Sequence, residues 1–79
     1  MKNYYYVGIT SNDIMDDTIR YVYKVDNANK TAYWETYKEL RVKYNPPLKF
    51  SLSYAKQLAQ CLRINGYNAF VITTTIDFK

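Results

Sequence analysis

The chain has 79 residues, 48% of them hydrophobic, and carries 11 lysines and arginines against 7 acidic residues, a net charge of +4. That length points to one domain over residues 1–79, with a core near the smallest that folds without staples. One cysteine excludes an intrachain disulfide, and the absence of histidine removes the commonest general base and the commonest metal ligand together.

The first predicted element is a strand over residues 3–10. It contains the run Tyr4-Tyr5-Tyr6, which cannot all face one way. Tyr5, Val7 and Ile9 form the more apolar set and are expected to face the core, with Tyr4, Tyr6 and Gly8 on the opposite face. Residues 11–18 read as a polar, acidic loop. A second strand over residues 18–26 alternates Ile19, Tyr21, Tyr23 and Val25 with Arg20, Val22, Lys24 and Asp26. The first set is expected to face the helix together with Tyr5. The turn D-N-A-N-K leads into a third strand from Thr31 to about Glu35.

The next stretch carries two signals. Tyr33, Tyr37, Leu40 and Tyr44 are spaced four, three and four apart, as on a helix face, and Thr36-x-x-Glu39 has the form of a capping box. Alternation would instead carry the strand on to Glu39. A short helix after Glu35 is the reading adopted, ended by Asn45-Pro46-Pro47. Residues 51–65 form the main predicted helix. Ser51 caps it, Leu52, Ala55, Leu58, Ala59 and Leu62 make its apolar stripe, and Gly66 takes the left-handed position beyond its end. Tyr67 is expected to fold back on Leu62. A last strand follows, with Phe70, Ile72, Ile76 and Phe78 on one face.

The fold class is therefore α+β: a four-stranded, mainly antiparallel sheet in the order β-β-β-(short helix)-α-β, with one main helix packed on one face. The first three strands should form a meander. The other sheet face should be left uncovered within the monomer.

Three groups of residues carry candidate chemistry. Exposed Tyr4 and Tyr6 would suit base stacking or a protein contact, or would simply cover a wet sheet face. Residues 38–63 hold Lys38, Arg41, Lys43, Lys49, Lys56 and Arg63 against Glu39 alone, with Tyr37, Tyr44 and Phe50 interleaved. Such a segment can follow a phosphate backbone, meet an acidic protein, or serve only as a solvated face. Asp13, Asp16 and Asp17 are hard oxygen donors, but the loop lacks the glycine and distal glutamate of a calcium loop, so a polar turn is expected. The residues assigned to partner binding are Tyr4, Tyr6, Tyr37, Lys38, Arg41, Lys43, Tyr44 and Lys49.

No catalytic, cofactor-binding or metal-binding residue is assigned. Cys61, beside the helix stripe and without a histidine to activate it, is expected to be buried and inert. Glu35 and Glu39 have no evident pocket to raise a pKa. The start M-K-N-Y-Y-Y lacks the apolar stretch of a secretory signal, and no apolar run approaches the roughly 18–20 residues that span a bilayer. With the lone cysteine, this suggests a cytoplasmic protein.

The stretch F-S-L-S-Y-A-K-Q-L-A-Q-C-L-R-I-N-G-Y-N-A-F-V-I resembles the helix-Gly-Tyr-strand half-unit of peptidoglycan-binding SPOR domains. The remaining chain departs from that family, which has a second helix. In size, composition and lack of motif the chain resembles small accessory proteins of phages and mobile elements of low-GC Gram-positive bacteria, including host-takeover and anti-CRISPR-type inhibitors. That resemblance implies a non-enzymatic protein that binds a host macromolecule. The expected function is inhibition or modulation of a host protein through an aromatic and basic surface. Single-stranded nucleic-acid binding and a homodimeric interaction module are the alternatives.

Overall fold

A computed structural model describes residues 4–13 and 15–73. Its elements are β1 (Tyr6–Thr10), β2 (Ile19–Asp26), β3 (Thr31–Thr36), α1 (Tyr37–Val42), α2 (Leu52–Ile64) and β4 (Asn68–Ile72). The α+β class and the meander are as expected: the sheet runs β3-β2-β1-β4 with every neighbouring pair antiparallel. Ile76 and Phe78 lie outside the described residues.

Pairing register decides the faces. Ile9 stands opposite Arg20 and Ala69, and Val7 opposite Val71, so these share the face that α2 covers. Val7, Ile9, Val22 and Ala69 pack there with Ala55, Ala59 and Leu62 of α2. Alanines at two of the three helix positions let α2 sit close to the sheet. Tyr5 joins this cluster from its rim, as its alternation with Val7 requires.

The second strand has the opposite phase from the expected one. Gly8 pairs with Tyr21, so Tyr21 lies on the face away from α2 and Val22, fully buried, lies on the α2 face. The pairing of β2 with β3 shifts between Val22 and Lys24, and this irregularity returns Val25 to the core side. A hydrophobicity comparison of the two sets could not see that slip.

The face away from α2 is not open. The short helix α1 packs against β2 and β3. Its Leu40 is fully buried outside the main cluster, and its Tyr37 ring meets that of Tyr21 edge-on at 6.3 Å. Tyr6, expected to be exposed, is only 3% accessible on this face. The reason is local. Tyr6 pairs with Ile72 and Gly8 with Phe70, and Gly8 lets those side chains lean inward. A Cβ at Gly8 would lie 2.7 Å from Ile72 Cδ1 and 3.1 Å from the Phe70 ring. Tyr6 is therefore a second-layer core residue.

The proline-containing connection between the helices is tied to the sheet. Pro47 is buried, Leu48 N–H donates to the Val22 carbonyl at 3.0 Å, and Phe50 exchanges two backbone hydrogen bonds with Tyr5. Ser51 then caps α2, its hydroxyl accepting from Tyr54 N–H. The helix closes as expected: Gly66, at φ +93°, donates to the Arg63 carbonyl, and Tyr67 N–H donates to that of Leu62. Cys61 is exposed rather than buried. It lies beyond Leu58, itself only half-buried, on the flank of the stripe.

Candidate binding surface

The surface begins at a helix cap. Thr36, in extended conformation, accepts from Glu39 N–H at 3.3 Å and starts α1 where β3 ends. A helix of this pitch turns Leu40 inward and leaves Lys38, Arg41 and Val42 outside. The Arg41 guanidinium stands 5.9 Å from the Tyr37 ring centroid, within cation–π range.

The end of α1 is unusual. Tyr44 N–H donates to the Arg41 carbonyl and Asn45 N–H to the Leu40 carbonyl, the same closing pattern that ends α2. That pattern needs a left-handed residue, and here it is Tyr44, at φ +55°. A side chain in this conformation costs about 1–2 kcal/mol through the clash of Cβ with the following carbonyl. Packing does not offset it, because Tyr44 is 86% exposed. Val42 is exposed as well. Tyr37, Lys38, Arg41, Val42 and Tyr44 together line an open depression of about 590 Å³.

The field there is positive. Lys38 and Arg41 line the depression with the two rings, the exposed cap residue Lys43 directly precedes Tyr44, and Glu39 is the local counter-charge. Among the described residues the ion pair found is Asp16–Arg20, at 3.8 Å, so none of these cations is held by a carboxylate.

Of the residues assigned from sequence, Tyr37, Lys38, Arg41 and Tyr44 therefore come together, with Lys43 beside them. Tyr4 and Lys49 form a separate contact, the Lys49 ammonium 5.0 Å from the Tyr4 ring, because the Tyr5–Phe50 bridge sets their strands side by side. Tyr6 is removed by its burial. Sequence reasoning missed Val42, whose signal was present: an apolar residue off the Tyr33-Tyr37-Leu40-Tyr44 stripe must face solvent.

It also missed an aromatic pair. Trp34 of β3 and Tyr67 after α2 meet edge-on with centroids 4.9 Å apart. They wall a depression of about 270 Å³ whose polar rim includes Asn12, Asp16, Arg20 and Asn68. Nothing local announces this pair, since three elements must fold to bring it together.

The acidic loop uses its carboxylates on its own backbone. Asp13 accepts from Met15 N–H and Asp16 from Thr18 N–H, each at 3.0 Å. The Thr18 hydrogen bonds, with a smaller contribution from Arg20, hold the Asp16 carboxyl below its ordinary value. Among the described residues no group of three or more histidine, cysteine, aspartate or glutamate side chains is placed to hold a metal ion. No helix among them is long and apolar enough to cross a membrane. Comparison with family models, with curated proteins and with solved structures returned no match.

Proposed function

We propose that this is a non-catalytic binding protein that inhibits or modulates a host protein in the cytoplasm, in the manner of phage and mobile-element accessory proteins. The contact is made by the exposed side chain of Tyr44, which protrudes at the end of α1 beside the depression it helps to line. The observation that carries this reading is Tyr44: a tyrosine held left-handed at φ +55° and 86% exposed. Strain of this kind, where glycine would be easier, argues for a use of the side chain outside the fold. A tyrosine and a valine beside Lys38, Arg41 and Lys43 have the anatomy of an aromatic anchor with a charged rim, suited to a cleft on an acidic protein surface.

Single-stranded nucleic acid is the second reading, since one exposed ring among cations can stack a base and neutralise phosphates. The sheet face offers it little support, because Tyr6 is buried there and Tyr21 and Tyr23 are half-buried.

The test is capture on immobilised protein from a nuclease-treated bacterial lysate, comparing wild type with Tyr44→Ala. A defined protein retained by the first and lost by the second is expected. In parallel, fluorescence anisotropy with labelled single-stranded oligonucleotides should show no binding at low salt. Tight binding whose log K falls with log salt at a slope of about −2, the value for roughly three phosphate contacts, would replace the protein reading by the nucleic-acid one.

A further inference from the structure

The Trp34–Tyr67 depression lies apart from the protrusion, and its rim is rich in acceptors. Asn12 commits its amide N–H to the Gly66 carbonyl and Asn68 commits its own to the Thr10 hydroxyl. Both line the depression, and the side-chain carbonyl of neither accepts a hydrogen bond among the described residues. Asp16 Oδ2 meets Arg20 only at 3.8 Å. Asp13 and Asp17 stand exposed in the same loop. Arg20 on the rim is set against Asp16, so the negative charge in excess is that of Asp13 and Asp17 in the adjoining loop, and the group that fits is an aromatic ring with a hydroxyl donor and positive charge beside it. A volume near 270 Å³ lies below the roughly 300–1,000 Å³ of small-molecule sites and takes one such side chain.

The chain itself carries that group. We propose that the depression receives Tyr44 of a second copy. The ring packs against Trp34 and Tyr67, and the phenol hydroxyl donates to the Asn12 or Asn68 carbonyl. Lys38, Arg41 and Lys43 of the entering copy face Asp13 and Asp17 of the receiving one. The depression opens on the α2 side of the sheet and α1 meets the other side at Tyr21, so the contact is head-to-tail. Opposed charges make it sensitive to salt. A protrusion engaged in this way is closed to any other partner.

Trp34 is the chain's one tryptophan, so its emission reports on the depression. A Trp34→Tyr chain, with its protrusion intact, is titrated into a Tyr44→Ala chain, which keeps Trp34. A saturable change in emission and a hetero-pair in sedimentation are expected, and a chain carrying both substitutions should produce neither. Wild type should associate at least about tenfold more tightly than Tyr44→Ala, and less tightly as salt rises. If Trp34→Tyr proves unfolded by circular dichroism, the self-association of Asp17→Lys is compared with that of wild type by sedimentation instead. That variant sits on an exposed loop and should weaken pairing severalfold with its melting unchanged. A wild-type chain that stays monomeric in low salt up to its solubility overturns the proposal. So does association of equal strength in Tyr44→Ala, which would assign the pairing to a sheet edge.

Discussion

The helices α1 and α2 end with the same hydrogen bonds and with opposite residues. At the end of α2 the left-handed position holds Gly66, at φ +93°, and at the end of α1 it holds Tyr44, at φ +55°. In each, the residue after it donates to the carbonyl of a buried leucine, Leu62 in one and Leu40 in the other. Glycine is the residue that closure alone favours. The first end is shaped by the fold, whereas the second carries a side chain that is 86% exposed and packs little against the fold.

The largest test of the comparison lies under each end. Leu62→Ala and Leu40→Ala should each cost about 2–5 kcal/mol in chemical denaturation. Leu62 belongs to the main cluster and Leu40 does not. Leu62→Ala should therefore unfold the whole domain in one transition. Leu40→Ala should also loosen α1 locally, seen as faster amide exchange at Tyr44 and Asn45, whose N–H groups close that helix. Equal protection there in wild type and variant would mean that α1 is not anchored by Leu40.

Gly66→Ala comes next. A Cβ at this position would meet nothing within 4 Å, so the cost is purely conformational. It should be about 1–2 kcal/mol, read as a lower denaturation midpoint with an unchanged slope. A neutral result would mean that the left-handed position costs little in this context, and that Tyr44 carries no strain to explain.

The smallest effect concerns a third left-handed residue. Lys30, at φ +52°, lies in the turn between β2 and β3, where the Asp26 carboxylate accepts from the backbone N–H groups of Ala28 and Asn29. Here the turn itself accounts for the conformation. The Asn29 side-chain hydrogen bond, followed by the backbone bonds, holds the Asp26 carboxyl below its ordinary 3.8. A lowered folded-state pKa contributes stability that is fully present above the unfolded value and is lost as pH falls through the folded one. Melting should therefore fall slightly as pH drops below about 4, and by less in Asp26→Asn. The same acid sensitivity in both chains would move its source elsewhere, to Asp16 first.

Much of the fold is legible in local chemistry. Ser51, Thr36 and Gly66 mark the helix ends, and the alternation of Tyr5, Val7 and Ile9 finds the α2 face correctly. Two things are not legible, because they depend on pairing across the sheet. The pairing of Tyr21 with Gly8 reverses the expected phase as far as Val22, the slip between Val22 and Lys24 returns Val25 to the core side, and the neighbours of Gly8 bury Tyr6. The surface is legible in part. The charge run and the Tyr37–Tyr44 spacing point to the protrusion, but the strain at Tyr44 is a backbone property that residue type alone does not reveal. The Trp34–Tyr67 pair is invisible until β3, α2 and β4 are in place.

If Tyr44 is kept for contact at a cost to the fold, the stability of Tyr44→Gly will show that cost. Glycine adopts φ near +55° without the Cβ clash, although it also loosens the unfolded chain. Urea denaturation should show the variant more stable than wild type by up to about 1 kcal/mol, with the slope unchanged. A variant clearly less stable than wild type would contradict this, since it would make the Tyr44 side chain part of what holds the domain together.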